Sequence, residues 1–348
     1  MPKFHTGLVI TSHELEVLDH ANLYKGVFFI PDPTKRHFEF KGGFGTRSLS
    51  CFELRSENKE IRKDEILALE LILEASSLEE AKNDLSLIHA GLRLALPNPV
   101  LGEHGLGFPI ELKDDTACIL NSQPFWGQFA FENRLDVGLF TLSQAKNNRQ
   151  YTYALEKYKF SLDLDCFTPH SGHPVCGQIF DNETVIYSTH VHQLAAVVSA
   201  YSVIEEMGCE IRASKEKPRF LESGEWNPDV WKETSKRLSR KNVDIDRKFT
   251  WIIRGDDTVI HADIPDTFGS PSQGYDGKII KDKDMHIIEA IQVASWLRNM
   301  VASHKFGEYS SFISPYDVHN VQMLARRIIM ECMGVLEYVE KSNELILK

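Results

Sequence analysis

The sequence predicts an α+β protein in which a β-rich domain, residues 1–150, precedes an all-helical domain, residues 151–348. Three observations predict it. With 348 residues the chain exceeds the usual size of a single hydrophobic core, which favours two domains. Before residue 150 the apolar residues fall in short runs rich in β-branched and aromatic side chains, and after it they recur with a helical period. The composition, 42% hydrophobic and 26% charged, is that of a globular protein. No stretch approaches the roughly 18 apolar residues a membrane-spanning helix needs.

In the first half, Leu8-Val9-Ile10, the run from Gly26 to Ile30, His37 to Phe40 and Ile66 to Leu73 read as strands. One helix interrupts them. Ser77 precedes Leu78-Glu79-Glu80, whose acids suit the positive end of a helix dipole, and Ala81, Leu85, Ile88 and Leu92 share one face. Pro97-Asn98-Pro99 ends that helix, and further short apolar runs continue through Phe140. The stretch Gly42-Gly43-Phe44-Gly45-Thr46 lacks the lysine of a phosphate loop and reads as a turn. With no nucleotide-binding pattern, this half is expected to act as a sensor or regulatory domain.

In the second half, Ala154, Leu155, Tyr158 and Leu162 mark a first helix, and Leu194, Val197, Val198, Tyr201 and Ile204 a second, stopped by Gly208. Asn227 as cap and Pro228 in the first turn open a short helix that runs to about Lys241. Trp251-Ile252-Ile253 reads as a short strand, and the Gly, Pro and Asp-rich stretch from Asp263 to Asp284 as a surface loop. Met285 to Ser303 and the long segment opened by Ser314-Pro315 are the clearest helices. The pattern is a four-helix bundle with an insertion at about 209–284 between its second and third main helices.

A formal net charge of −11 argues against bulk affinity for nucleic acid, which comes from neutralising phosphates with Lys and Arg. The local basic groups, Lys232, Lys236, Arg237, Arg240 and Lys241 and the pair Arg326-Arg327, read as solvated helix faces. Cys51, Cys118, Cys166, Cys176, Cys209 and Cys332 lack framework spacing and are expected to be free thiols. The opening Met1-Pro2-Lys3-Phe4-His5 has no apolar signal region, so a cytoplasmic location is expected.

The strongest chemical signal is Ser295-Trp296-Leu297-Arg298-Asn299-Met300-Val301-Ala302-Ser303-His304. It places two large polar residues, Arg298 and His304, toward the end of an otherwise apolar helix. This resembles the HEPN signature, an Arg followed by a polar residue and, after a short interval, a His near the end of a bundle's third helix. The resemblance covers residues 151–348, apart from an insertion that compact members lack. It implies metal-independent RNA cleavage with Arg298, Asn299 and His304 as catalytic residues, without cofactor or metal, by a homodimer that sets two motifs in one groove. It also implies a role as a toxin or in antiviral abortive infection. The residue types suit that chemistry: a histidine near neutrality can move the 2′-hydroxyl and leaving-group protons, and a forked, permanently charged guanidinium suits the phosphate. The alternative is a non-catalytic helical interaction or RNA-binding module. There, Arg298 pairs with Glu205 or Glu206 on the second helix and His304 meets the helix's negative end.

Other constellations carry less. Cys166, His170, His173 and Cys176, with His190 and His192 beyond, do not match a common zinc spacing, and no metal is expected there. Asp256-Asp257 with His261 reads as a solvated turn. Ser202 and Ser295 lie on helices without a nucleophile elbow, and Trp226, Trp231, Trp251 and Trp296 read as packing anchors.

Overall fold

The computed structural model describes residues 1–11, 27–30, 37–40, 52–55, 68–95, 109–111, 135–164, 187–252, 258–259, 265–267, 270–271, 279–280, 283–302, 313 and 315–346. Most of them are helical. The chain divides into two compact units: residues 1–147 together with 338–348, and residues 148–337.

The first unit holds β1 (Lys3–Thr11), β2 (Val27–Ile30), β3 (His37–Phe40), β4 (Phe52–Arg55), β5 (Ala68–Glu74), helix α1 (Leu78–Ala95), β6 (Ile110–Glu111) and helix α2 (Leu135–Ala145). An antiparallel sheet runs in the order β2-β5-β1-β6, with Phe28 opposite Ile72 and Phe4 opposite Leu73, while β3 pairs with β4. Phe4, Ala75 and Ala81 bury together where the sheet meets the start of α1. That start is fixed locally. The Ser77 hydroxyl accepts from the Glu80 amide at 3.2 Å, and the Glu80 carboxylate accepts from the Ser76 amide at 2.7 Å. The Ser76 hydroxyl, which also donates to that carboxylate, then the Ser76 amide and Lys146 pull the Glu80 carboxyl down to about 2.

Helix α2 corrects the sequence reading, which saw only short apolar runs there. Its apolar residues Val137, Leu139, Phe140, Leu142 and Ala145 fall on nearly all sides of the helix, so no clean amphipathic period survives in the sequence. It packs on α1 through glycine. A Cβ at Gly91 would lie 2.7 Å from the Gly138 Cα and 2.7 Å from the Thr141 hydroxyl. On the outer side of α2, Phe140 stacks on Tyr338 of the C-terminal segment, with ring centroids 4.5 Å apart.

The second unit holds α3 (Arg149–Leu164), α4 (Tyr187–Glu206), α5 (Pro228–Ser239), β7 (Phe249–Trp251), β8 (Thr258–Val259), β9 (Pro265–Thr267), β10 (Ser270–Pro271), β11 (Ile279–Ile280), β12 (Lys283–Met285), α6 (Ile287–Trp296) and α7 (Pro315–Cys332). Helix α8 (Val335–Ile346) begins there after Gly334, which takes a φ of 72°. Helices α3, α6 and α7 all pack against α4. A polar tie runs through that core: Ser161 on α3 donates to the Ala196 carbonyl on α4 at 2.8 Å, and Gln322 on α7 donates to the Ser161 carbonyl at 3.0 Å.

The region read as a surface loop carries strands instead. β7 pairs with β12, β8 with β11 and β9 with β10, all antiparallel and nested one inside the next. Pro265 and Pro271 lie within these strands, and their turn-forming composition hid the pairing. The arm's base is fastened to α7. Asn320 accepts from the Ile252 amide at 2.9 Å and donates to the Ile252 carbonyl at 2.7 Å. Arg327 donates to the carbonyls of Asp244, Arg247 and Lys248 at 2.8 to 3.0 Å and to the Glu331 carboxylate at 2.9 Å. Arg326 is half-buried as well, and burial lowers its affinity for a proton. The Arg326-Arg327 pair is therefore not a solvated face. Among the described residues no helix is long and apolar enough to cross a membrane.

Candidate functional site

Helix α6 opens with the His286 amide donating to the Glu289 carboxylate at 2.7 Å and then buries every residue from Ala290 to Leu297. From Leu297 to Ala302 its winding widens into a π-helical segment, with hydrogen bonds one residue longer than in an α-helix. Such insertions cost regular bonding and recur at functional sites. Across this junction Gln292, Ser295 and Asn299 form a polar stripe on an apolar rod.

Two guanidinium groups converge on that stripe. Arg219, from the segment between α4 and α5, donates to the Gln292 side-chain oxygen at 2.7 Å and to the Ser295 hydroxyl at 3.1 Å. The Asn299 amide also donates to Ser295, at 3.3 Å, and its oxygen accepts from Arg298 at 2.7 Å. A continuous chain of hydrogen bonds thus links Arg219 to Arg298 through Ser295 and Asn299. On its other side Arg298 meets α4: its guanidinium lies 5.9 Å from the Tyr201 ring centroid and 3.6 Å from a Glu205 carboxylate oxygen. Burial raises the Tyr201 phenol, against the opposing pull of its Ser295 hydrogen bond and of Arg219, so it stays neutral.

Of the three residues that carry the sequence motif, Arg298 and Asn299 are brought together and are half-buried, while His304 lies outside the described residues. The alternative partner is also placed: Glu205 faces Arg298, whereas Glu206 pairs with Lys157 at 2.7 Å. Cys166, His170, His173 and Cys176, the pair Asp256-Asp257 with His261, and Gly42 to Thr46 fall outside the described residues. His190 is buried and His192 exposed on α4. Among the described residues no group of three or more His, Cys, Asp or Glu is placed to hold a metal ion. Ser202 donates to the Ser199 carbonyl within its own helix. Trp226 and Trp231 meet edge-on at 5.2 Å in the packing between α5 and its leading segment.

The sequence reading missed Arg219, Gln292 and Tyr201, and treated Ser295 only as a nucleophile without an elbow. One signal was present. Gln292, Ser295 and Asn299 stand three and four residues apart in an otherwise apolar helix, which marks a polar line facing something other than core. Arg219 had no such signal, because its place depends on how the insertion folds back. No protein-family model, curated protein or solved structure matches this chain.

Proposed function

We propose that this chain is a cytoplasmic, metal-independent endoribonuclease whose helical unit is a HEPN-like four-helix bundle with an insertion. Arg298 is its phosphate ligand, Asn299 orients that ligand, and His304 is its proton carrier. One observation carries the reading: Arg298 and Arg219 are held at one spot by Ser295 and Asn299, an arrangement that positions two forked cations for a crowded phosphate. The Glu205 contact does not block it. At 3.6 Å, with the Arg298 and Glu205 side chains 35% and 40% exposed, that pair is worth at most about 1 kcal/mol. A phosphate accepting two parallel N–H bonds is the stronger partner.

Purified protein incubated with single-stranded RNA, with and without EDTA, tests this. Cleavage should survive chelation, spare DNA for lack of the 2′-hydroxyl, and vanish in His304→Ala. Arg298→Lys should lose about a hundredfold or more, because an ammonium keeps the charge but not the fork. Cleavage undiminished in His304→Ala, or wholly dependent on added metal, rejects the reading.

The second reading is the non-catalytic interaction or RNA-binding module. It is favoured by the engagement of Arg298 with Glu205 and the Tyr201 ring, contacts that also serve to tie the end of α6 to α4. It predicts no cleavage by any variant and a lower melting temperature for Arg298→Lys.

A further inference from the structure

Helix α5 is amphipathic in a pointed way. Val230, Thr234 and Leu238 are buried, four residues apart, and two positions on, nearly opposite around the helix, stand Lys232, Lys236 and Arg240, all exposed. The three cations form a stripe with steps of about 6 Å. Among the described residues none of the three side chains makes an ion pair or hydrogen bond, whereas Lys157, Lys217, Arg298 and Arg327 each meet a carboxylate. The nearest acid in sequence, Glu233, is neutralised by Lys217 at 2.6 Å, which holds its carboxyl below the usual range. Arg237, between the stripe and the core, is turned inward to the Glu210 carbonyl. In a chain of net charge −11, Lys232, Lys236 and Arg240 make a local positive line.

We infer that this stripe is a track for the backbone of single-stranded RNA, leading toward the Arg298 site. The choice of RNA rests on the function proposed above. The placement does not: α5 lies beside the start of α6, where Trp231 meets His286 edge-on at 5.7 Å, and Arg219 bridges from the segment before α5 to Ser295. From His286 to Arg298 the helix rises about 18 Å, the reach of roughly five stacked nucleotides. Evenly spaced positive charges suit a polyanion with one charge per monomer. At physiological salt, screening over about 8 Å lets such a local stripe act despite the chain's overall charge.

The test is binding, not cleavage. A fluorescent 2′-O-methyl oligoribonucleotide, which lacks the free hydroxyl needed for strand scission, is titrated with the full chain and with the Lys232→Gln/Lys236→Gln/Arg240→Gln variant at several salt concentrations. Three lost phosphate contacts should reduce the slope of log affinity against log salt by about 2, so the variant's deficit should shrink roughly 20-fold between 50 and 200 mM salt. The melting temperature should not change, since all three side chains are exposed. Equal affinity and equal slope in the variant overturn the track, even if Arg298→Lys still abolishes cleavage. Weakened binding with the expected slope supports it, even if no variant cleaves RNA and the nuclease reading falls. If polyglutamate binds through the three cations and the oligonucleotide does not, the stripe is a dock for an acidic polypeptide and the track is overturned.

Discussion

At the scale of single residues, the question is what Glu205 does to Arg298. A half-exposed carboxylate at 3.6 Å gives an ion pair of little net strength, yet it stands beside the guanidinium that a phosphate would approach. Its charge also opposes the approach of an anion. Glu205→Gln should therefore strengthen binding of the 2′-O-methyl oligonucleotide by about two- to fivefold, while changing stability by less than about 1 kcal/mol. Titration by fluorescence anisotropy beside a thermal melt checks both quantities. Unchanged affinity with a clearly lowered melting temperature would assign the pair to helix packing alone. The motif residues themselves were legible, because an Arg and an Asn near the end of an apolar helix stand out by polarity. Their neighbours Tyr201 and Arg219 were not, since a tyrosine on a core face and an arginine in an irregular segment become informative only once the chain has folded around Ser295.

At the scale of elements, close helix contact in the first unit depends on glycine. A Cβ at Gly91 would press on the Gly138 Cα, a backbone atom that cannot rotate away, and on Thr141, which is fully buried. Gly91→Ala should destabilise the protein by about 1–3 kcal/mol through overpacking, outweighing the roughly 1 kcal/mol that alanine gains in helix propensity. A lowered denaturation midpoint checks this, and a raised one would mean that α1 and α2 do not meet at Gly91. The same two helices mark the limit of what periodicity reveals. The start of α1 was legible, because Ser77 and Glu80 act on the backbone beside them. Apolar residues on nearly all sides left α2 without an amphipathic signal. The nested strands between β7 and β12 were hidden differently, since their pairing joins residues up to 36 apart, Phe249 with Met285, through stretches whose proline and glycine content reads as loop.

At the scale of the whole molecule, the chain divides into its compact units between Asn147 and Asn148, after two helices of the first unit. The return of residues 338–348 to the first unit had no local signal, because it rests on tertiary contacts such as Tyr338 on Phe140. Assembly is the remaining property at this scale, and it bears on catalysis. Arg298 and His304 are six residues apart in the chain, so the proposed chemistry gains if a second copy supplies the missing half of the groove. In that case activity per molecule should rise with protein concentration through the dimerisation range. Mixing wild-type chain with an equal amount of the Arg298→Lys variant, exchanged to equilibrium at fixed total concentration, then discriminates. If each groove needs Arg298 from both copies, roughly one quarter of the dimers remain fully competent, and activity falls to about a quarter of the all-wild-type sample. If each chain works alone, it falls only to about half. The rate of RNA cleavage at several mixing ratios, read beside sedimentation of the same samples, decides the matter: a linear dependence on the wild-type fraction rejects a groove that needs Arg298 from both copies, and a quadratic one requires it.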